Sequence, residues 1–94
     1  MKLYYAQGAR RDIESAFEWY EKQKQGLGFD FLDSIEYVIK NILEYPEMYP
    51  ISHAKFRKCV IRKFPFSIFY TTEDQAIIIH AVFDNRQDQK KQPK

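Results

Sequence analysis

The chain has 94 residues and a mass of 11.4 kDa, with 45 % hydrophobic and 30 % charged residues, which fits one globular domain and argues against both disorder and a second lobe. No apolar run approaches the roughly 18 residues of a membrane span, and the single Cys59 excludes an internal disulfide. The net charge of +2 conceals an asymmetry: residues 1–52 hold 6 Lys/Arg against 9 Asp/Glu, giving −3, and residues 53–94 hold 9 against 4, giving +5. These features describe a soluble, cytoplasmic chain whose second half attracts anions or presents a solvated lysine-rich surface.

Lys2 to Tyr5 reads as a short first strand. From Ala9, the apolar positions Ala9, Ile13, Ala16, Phe17 and Tyr20 recur at helical spacing. Arg10, Arg11, Glu14, Glu18, Glu21 and Lys22 occupy the other side, which makes them a solvated face. Gly26-Leu27-Gly28 breaks this helix, with Gly26 suited to a left-handed turn, and a second helix follows on Leu32, Ile35, Val38, Ile39, Ile42 and Leu43. Pro46 stops it and Pro50 keeps the next stretch extended or turned. Residues 8–45 are therefore expected to form an antiparallel helical hairpin, each arm about 25 Å long.

From Lys55 the period changes to two. A strand of about eight residues ends at the Phe64-Pro65 turn, a second runs from Phe66 to Thr72, and a third from Ala76 to Phe83 after the Glu73-Asp74-Gln75 turn. The expected architecture is α+β in the order β-αα-βββ: a helical hairpin on one face of a four-stranded, mostly antiparallel sheet. A single domain over residues 1–88 and a polar tail over 89–94 complete the expected organisation. Strict alternation puts Ile77, Ile79, Ala81 and Phe83 on one face of the last strand and Ile78, His80 and Val82 on the other. Strands apolar on both sides expect cover on both sides, so the second face is read as a patch for a partner, either a second copy or another protein.

The chain lacks a phosphate-cradling glycine loop, a metal-spaced ligand cluster and a nucleophile elbow, so no cofactor or metal is expected. Cys59 and His80 are read as packing residues rather than a thiolate pair, and nothing recommends His53. The chemistry-bearing cluster is Lys55, Arg57, Lys58, Arg62 and Lys63 on or beside one strand, with Arg57 and Lys63 sharing one face and Lys58 and Arg62 the other. Tyr70 projects from the neighbouring strand, and Arg86 follows the last one. Arg57, Lys58, Arg62, Tyr70 and Arg86 are thus the candidate target-contacting or catalytic residues. Cations so spaced clamp phosphate and could promote attack of an RNA 2′-hydroxyl on its own phosphate without a metal. A basic edge strand that resists sheet-to-sheet aggregation is the other reading of the same residues.

Over residues 4–88 the chain resembles the RelE/ParE family of bacterial type II toxins. The resemblance rests on Ala9-x-x-Asp12-Ile13, Trp19-Tyr20-Glu21, Gly26-Leu27-Gly28-x-x-Phe31, Pro46 with Pro50, and Arg57. The stretch Phe64-Pro65-Phe66-Ser67-Ile68-Phe69-Tyr70 continues it, followed by Ala81-Val82-Phe83 and Arg86-Gln87-Asp88. The resemblance implies a growth-inhibiting toxin neutralised by a cognate antitoxin whose C-terminal segment wraps it. RelE-like members act as ribosome-dependent endoribonucleases on mRNA, whereas ParE-like members poison DNA gyrase without known hydrolysis. By position, Arg57, Lys58 and Arg62 match the family's strand basics and Arg86 its C-terminal arginine within one position. Asp84 stands where many members carry histidine, which removes an obvious acid or base, and Gln89 replaces the usual proline. The long glycine-joined hairpin looks more like ParE-type members. A non-toxic binding module is the remaining alternative, and a homodimer is compatible with the two-sided sheet.

Overall fold

The computed structural model describes residues 1–87. Strand β1 (Lys2–Tyr5) leads into α1 (Gln7–Gln23) and α2 (Leu27–Glu44), and β2 (Ile51–His53), β3 (Phe56–Ile61), β4 (Phe66–Glu73) and β5 (Ala76–Asp84) follow. They form one sheet in the order β1-β5-β4-β3-β2, in which β1 runs parallel to β5 and the other pairs are antiparallel. The α+β hairpin-on-sheet architecture is the one expected, with a fifth strand. The addition is β2, three residues directly after Pro50 that pair with Phe56 and Arg57. The expected boundary at residue 88 and the tail at 89–94, with Asp88 and Gln89, lie outside the described residues.

The hairpin forms because each helix carries one apolar stripe. Ala9, Ala16 and Tyr20 of α1 and Phe31, Ile35, Val38, Ile39 and Ile42 of α2 are buried against the sheet. Each large apolar side chain so buried contributes about 1.5–3 kcal/mol. Neither helix has a side-chain cap at its N-cap residue. The second helix is capped from a distance instead: Glu21, expected to be solvated, is half-buried, and its carboxylate accepts from the backbone N–H of Gly26 at 3.0 Å and of Gly28 at 2.9 Å. That carboxylate sits at the positive end of α2, where a negative charge is favoured. Gly26 takes φ 89°, which a side chain would resist. Gly28 is where the two helices touch, since a Cβ there would stand 2.8 Å from the Phe17 carbonyl oxygen and ring.

The strands deviate from strict alternation at one place. Phe69 pairs with Ala81 but Tyr70 pairs with Ile79, so His80 is an extra residue, a bulge in β5. Beyond a bulge the two faces exchange. Ile77 and Ile79 face the helices as one set, but so does Val82, which is 2 % exposed in the core, while Phe83 packs edge-on against Phe69 on the other face. The expectation that Val82 joins Ile78 and His80 on the open face, with Phe83 opposite, is therefore corrected. Past the bulge, where the β1 pairing has ended at Ile79, Asp12 supplies an acceptor for β5 by taking the Val82 N–H at 2.9 Å.

The second face also differs from the bare patch expected. No helix covers it among the described residues, yet Phe69 and Thr71 are each 1 % exposed. The Lys58 ammonium lies 5.8 Å from the centre of the Phe69 ring, and Thr71 Oγ1 is 2.8 Å from His80 Nε2, whose ring stacks edge-on with Phe56. The open apolar groups sit at the margins, on Tyr4 and Val60.

Candidate functional site

The sheet distributes the five candidate residues over three places. Register sets the first: Arg57 on β3 pairs with Tyr70 on β4, so both face the inner side. Arg57 Nη1 donates to the carbonyls of Tyr49 at 2.7 Å and Glu47 at 3.2 Å, and the Tyr70 hydroxyl donates to the Pro46 carbonyl at 2.7 Å. Together they tie the 46–49 loop to the sheet, supplying donors to carbonyls that the loop cannot satisfy itself. Tyr70 is fully buried, and burial pushes its phenol up to about 12, the nearby Arg57 opposing. The expectation of a projecting Tyr70 is thereby corrected: its position opposite Arg57 puts it inside the core.

Lys58 and Arg62 occupy the second place. Lys58 faces outward, paired with Phe69, and β3 ends at Ile61, so Arg62 and Lys63 fall in the exposed turn rather than on the strand. The expected sharing of a face by Arg57 and Lys63 does not occur for that reason. Phe64, in that same turn, drops back into the core with 6 % exposure. Lys58, Val60, Arg62 and Lys63 flank a groove of about 980 Å³ whose other lining includes Asp30, Asp33 and Tyr37 of α2 together with Met48.

Arg86 holds the third place, past the end of β5. Its guanidinium pairs with Asp84 through Nε at 2.9 Å and Nη2 at 2.7 Å, and lies 5.4 Å from the centre of the Trp19 ring. That hydrogen bond holds the Asp84 carboxyl below its ordinary range and raises the arginine further. A cleft of about 340 Å³ opens beside the pair, lined by Asp12, Ser15, Trp19 and Phe83. Burial pushes the Asp12 carboxyl up, against the Val82 N–H that favours its charged form. The periodic reading had not assigned Asp12 or Trp19 a site role. Their signal was the motif context around the first helix, not their polarity.

Cys59 lies in the core on the inner side, burial pushing its thiol up, whereas His80 faces outward to Thr71, so the two are not partners. Among the described residues no group of three or more His, Cys, Asp or Glu is arranged to hold a metal ion. No helix of the described residues is long and apolar enough to cross a membrane. Chemically, the arrangement offers one neutralised arginine, one arginine spent on the chain's own carbonyls, and three cations, Lys58, Arg62 and Lys63, beside a groove that Asp30 and Asp33 also line.

Comparison with known proteins places this geometry in a family. The family described as the ParE toxin of the type II toxin-antitoxin system, parDE, matches residues 3–89. The fold is similar to a chain of the chromosomal ParDE TA system from P. aeruginosa, with TM-score 0.79 and 16 % identity over 89 % of this chain and 95 % of that one. At that identity the likeness is one of fold. No match is found among curated proteins. The chain belongs to the ParE toxin family of type II toxin–antitoxin systems.

Proposed function

We propose that this ParE-family chain arrests growth by binding DNA gyrase, without cutting RNA, and that a cognate antitoxin neutralises it in the cytoplasm. The observation that carries the reading is the dispersal of Arg57, Lys58, Arg62, Tyr70 and Arg86 over three places, two of the arginines already engaged. Metal-free RNA cleavage needs a base, an acid and a cation converging within about 3 Å of one phosphate. Tyr70 and Arg57 face inward, and Asp84, in the position where an acid or base would serve, is held charged by Arg86. A binding toxin requires only a complementary surface, and the groove beside Lys58 and Arg62 supplies one.

The test uses purified gyrase with the purified chain. Inhibited supercoiling, with accumulation of cleaved DNA, is the expected result. Unaffected gyrase together with new transcript ends on ribosomes would replace this reading with a ribosome-dependent endoribonuclease. Induced expression that leaves growth unaltered in a responsive host would replace it with a non-toxic binding module.

A further inference from the structure

Strand β1 accompanies β5 only as far as Ile79, and beyond the bulge that side of β5 gives onto the cleft beside Trp19. Asp12 fills part of the gap: Oδ2 takes the Val82 N–H at 2.9 Å, and the other oxygen has no donor among the described residues. Two carboxylates, Asp12 and Asp84, line the cleft against one guanidinium, that of Arg86, which leaves one negative charge uncompensated. Arg86 spends Nε and Nη2 on Asp84, so the uncompensated charge is that of Asp12. Burial pushes the Asp12 carboxyl up, as happens to a charge with too little compensation around it. The Tyr20 hydroxyl is a second unfilled group at the Arg86 end. The residue is 7 % exposed, its oxygen has no hydrogen-bond partner among the described residues, and Arg86 and Asp84 are the charges that act on it.

A negative charge beside an indole takes a cation. The acceptors decide which kind. Asp12 and Ser15 both line the cleft and stand three residues apart on α1, on one face of the helix. A planar fork of donors spans two such acceptors, whereas an ammonium is a single point of charge. A guanidinium is also more weakly hydrated, which suits a half-buried site, and it lies well over an indole, as that of Arg86 already does over Trp19. We infer that the cleft binds an arginine side chain of another protein, its guanidinium donating to the free oxygen of Asp12 and to the Ser15 hydroxyl, its stem lying along Ala16 and Trp19. Residues 88–94 contain Lys90, Lys91 and Lys94 but no arginine, so the segment after Gln87 does not supply that group. The cleft shares no lining residue with the groove beside Lys58, so the supercoiling assay and the test below fail separately.

The probe is N-acetyl-arginine amide, with the lysine and citrulline amides beside it; citrulline keeps the shape of arginine without its charge. Trp19 is the single tryptophan, so its fluorescence reads the cleft wall directly. The arginine amide is expected to saturate that signal at about millimolar concentration, and to shift the NMR amide resonances of Ser15 and Val82. The lysine amide should bind several-fold more weakly and the citrulline amide should not saturate. Asp12→Asn keeps an acceptor for the Val82 N–H and removes the charge, and should weaken the arginine amide about tenfold with the melt retained. Should that variant not fold, exposed Ser15→Ala should still weaken it several-fold. Equal binding of the lysine or citrulline amide, unchanged binding by a folded Asp12→Asn or by Ser15→Ala, shifts centred on Asp30 and Asp33 instead, or no saturation with arginine overturns the inference. So does self-association of the chain that alters Trp19 fluorescence, which would assign the cleft to a second copy.

Discussion

On the inner face of the sheet, Ile68 and Tyr70 reach 0 % exposure beneath two helices, while on the outer face Phe69 and Thr71 reach 1 % with no helix over them among the described residues. The inner face excludes water with a second layer. The outer face does so with its own long side chains: the Lys58 stem and Phe83 close on Phe69, and Phe56 with His80 closes on Thr71. A strand that is apolar on both sides therefore does not oblige a partner to cover it. The open apolar side chains of the outer face sit at its margins, on Tyr4 and Val60. The difference also concerns chemistry. Inner-face Tyr49 and Tyr70 are pushed up to about 12, beyond physiological reach, whereas burial moves outer-face His80 the other way, lowering its pKa from the ordinary value.

Three measurements would sharpen or break this contrast. The largest effect is expected at Ile68→Ala, which opens a cavity between β4 and the helices; chemical denaturation should show a loss of about 2–5 kcal/mol. A loss below about 1 kcal/mol would mean that the helical layer is not packed as described. Next comes Asp12→Ala, which leaves the Val82 N–H, beyond the bulge, without its acceptor. A loss of about 1–3 kcal/mol is expected, and hydrogen exchange should quicken at Val82 first. An unaltered Val82 amide would show that the carboxylate does not hold this part of β5.

The smallest effect belongs to His80, which is half-buried. Burial lowers its pKa, with Glu73 opposing and Lys55 adding to the shift. Because the folded pKa lies below the unfolded 6.5, the unfolded chain takes up the proton first as pH falls. Stability should then be level above about pH 6.5, decline as acidification proceeds toward the folded pKa, and level off again below it. His80→Gln should remove that slope in pH-dependent melts; a slope that survives would assign the effect to another group.

Much of the fold was legible because periodicity is a property of composition along the chain. The stripes of α1 and α2, the stop at Pro46 and the turns at Pro65 and Asp74 all follow from local rules. What was not legible depended on counting across space. The bulge at His80 is a difference of one residue between β4 and β5, invisible in β5 alone, and it misassigned Val82 and Phe83. Strand β2 is too short to show a period. At the candidate site, the cations were legible as a cluster in sequence, but their separation was not. The outward course of Lys58 and the inward one of Arg57 follow from register, and the engagement of Arg86 by Asp84 follows from a turn after β5. Glu21 carried a charge like its neighbours on α1, and only the path of the Gly26 turn gives its carboxylate two amide partners.

The parallel pairing of β1 with β5, Lys2 beside Ala76 and Tyr5 beside Ile79, joins the first described strand with the last. The hairpin between them closes through neighbours, as the Glu21 contacts over five and seven positions illustrate. Strand β1 therefore gains its partner only once β5 has been made. A chain cut before β5 would leave β1 without its partner, so the sheet closes only when both of these distant segments are present.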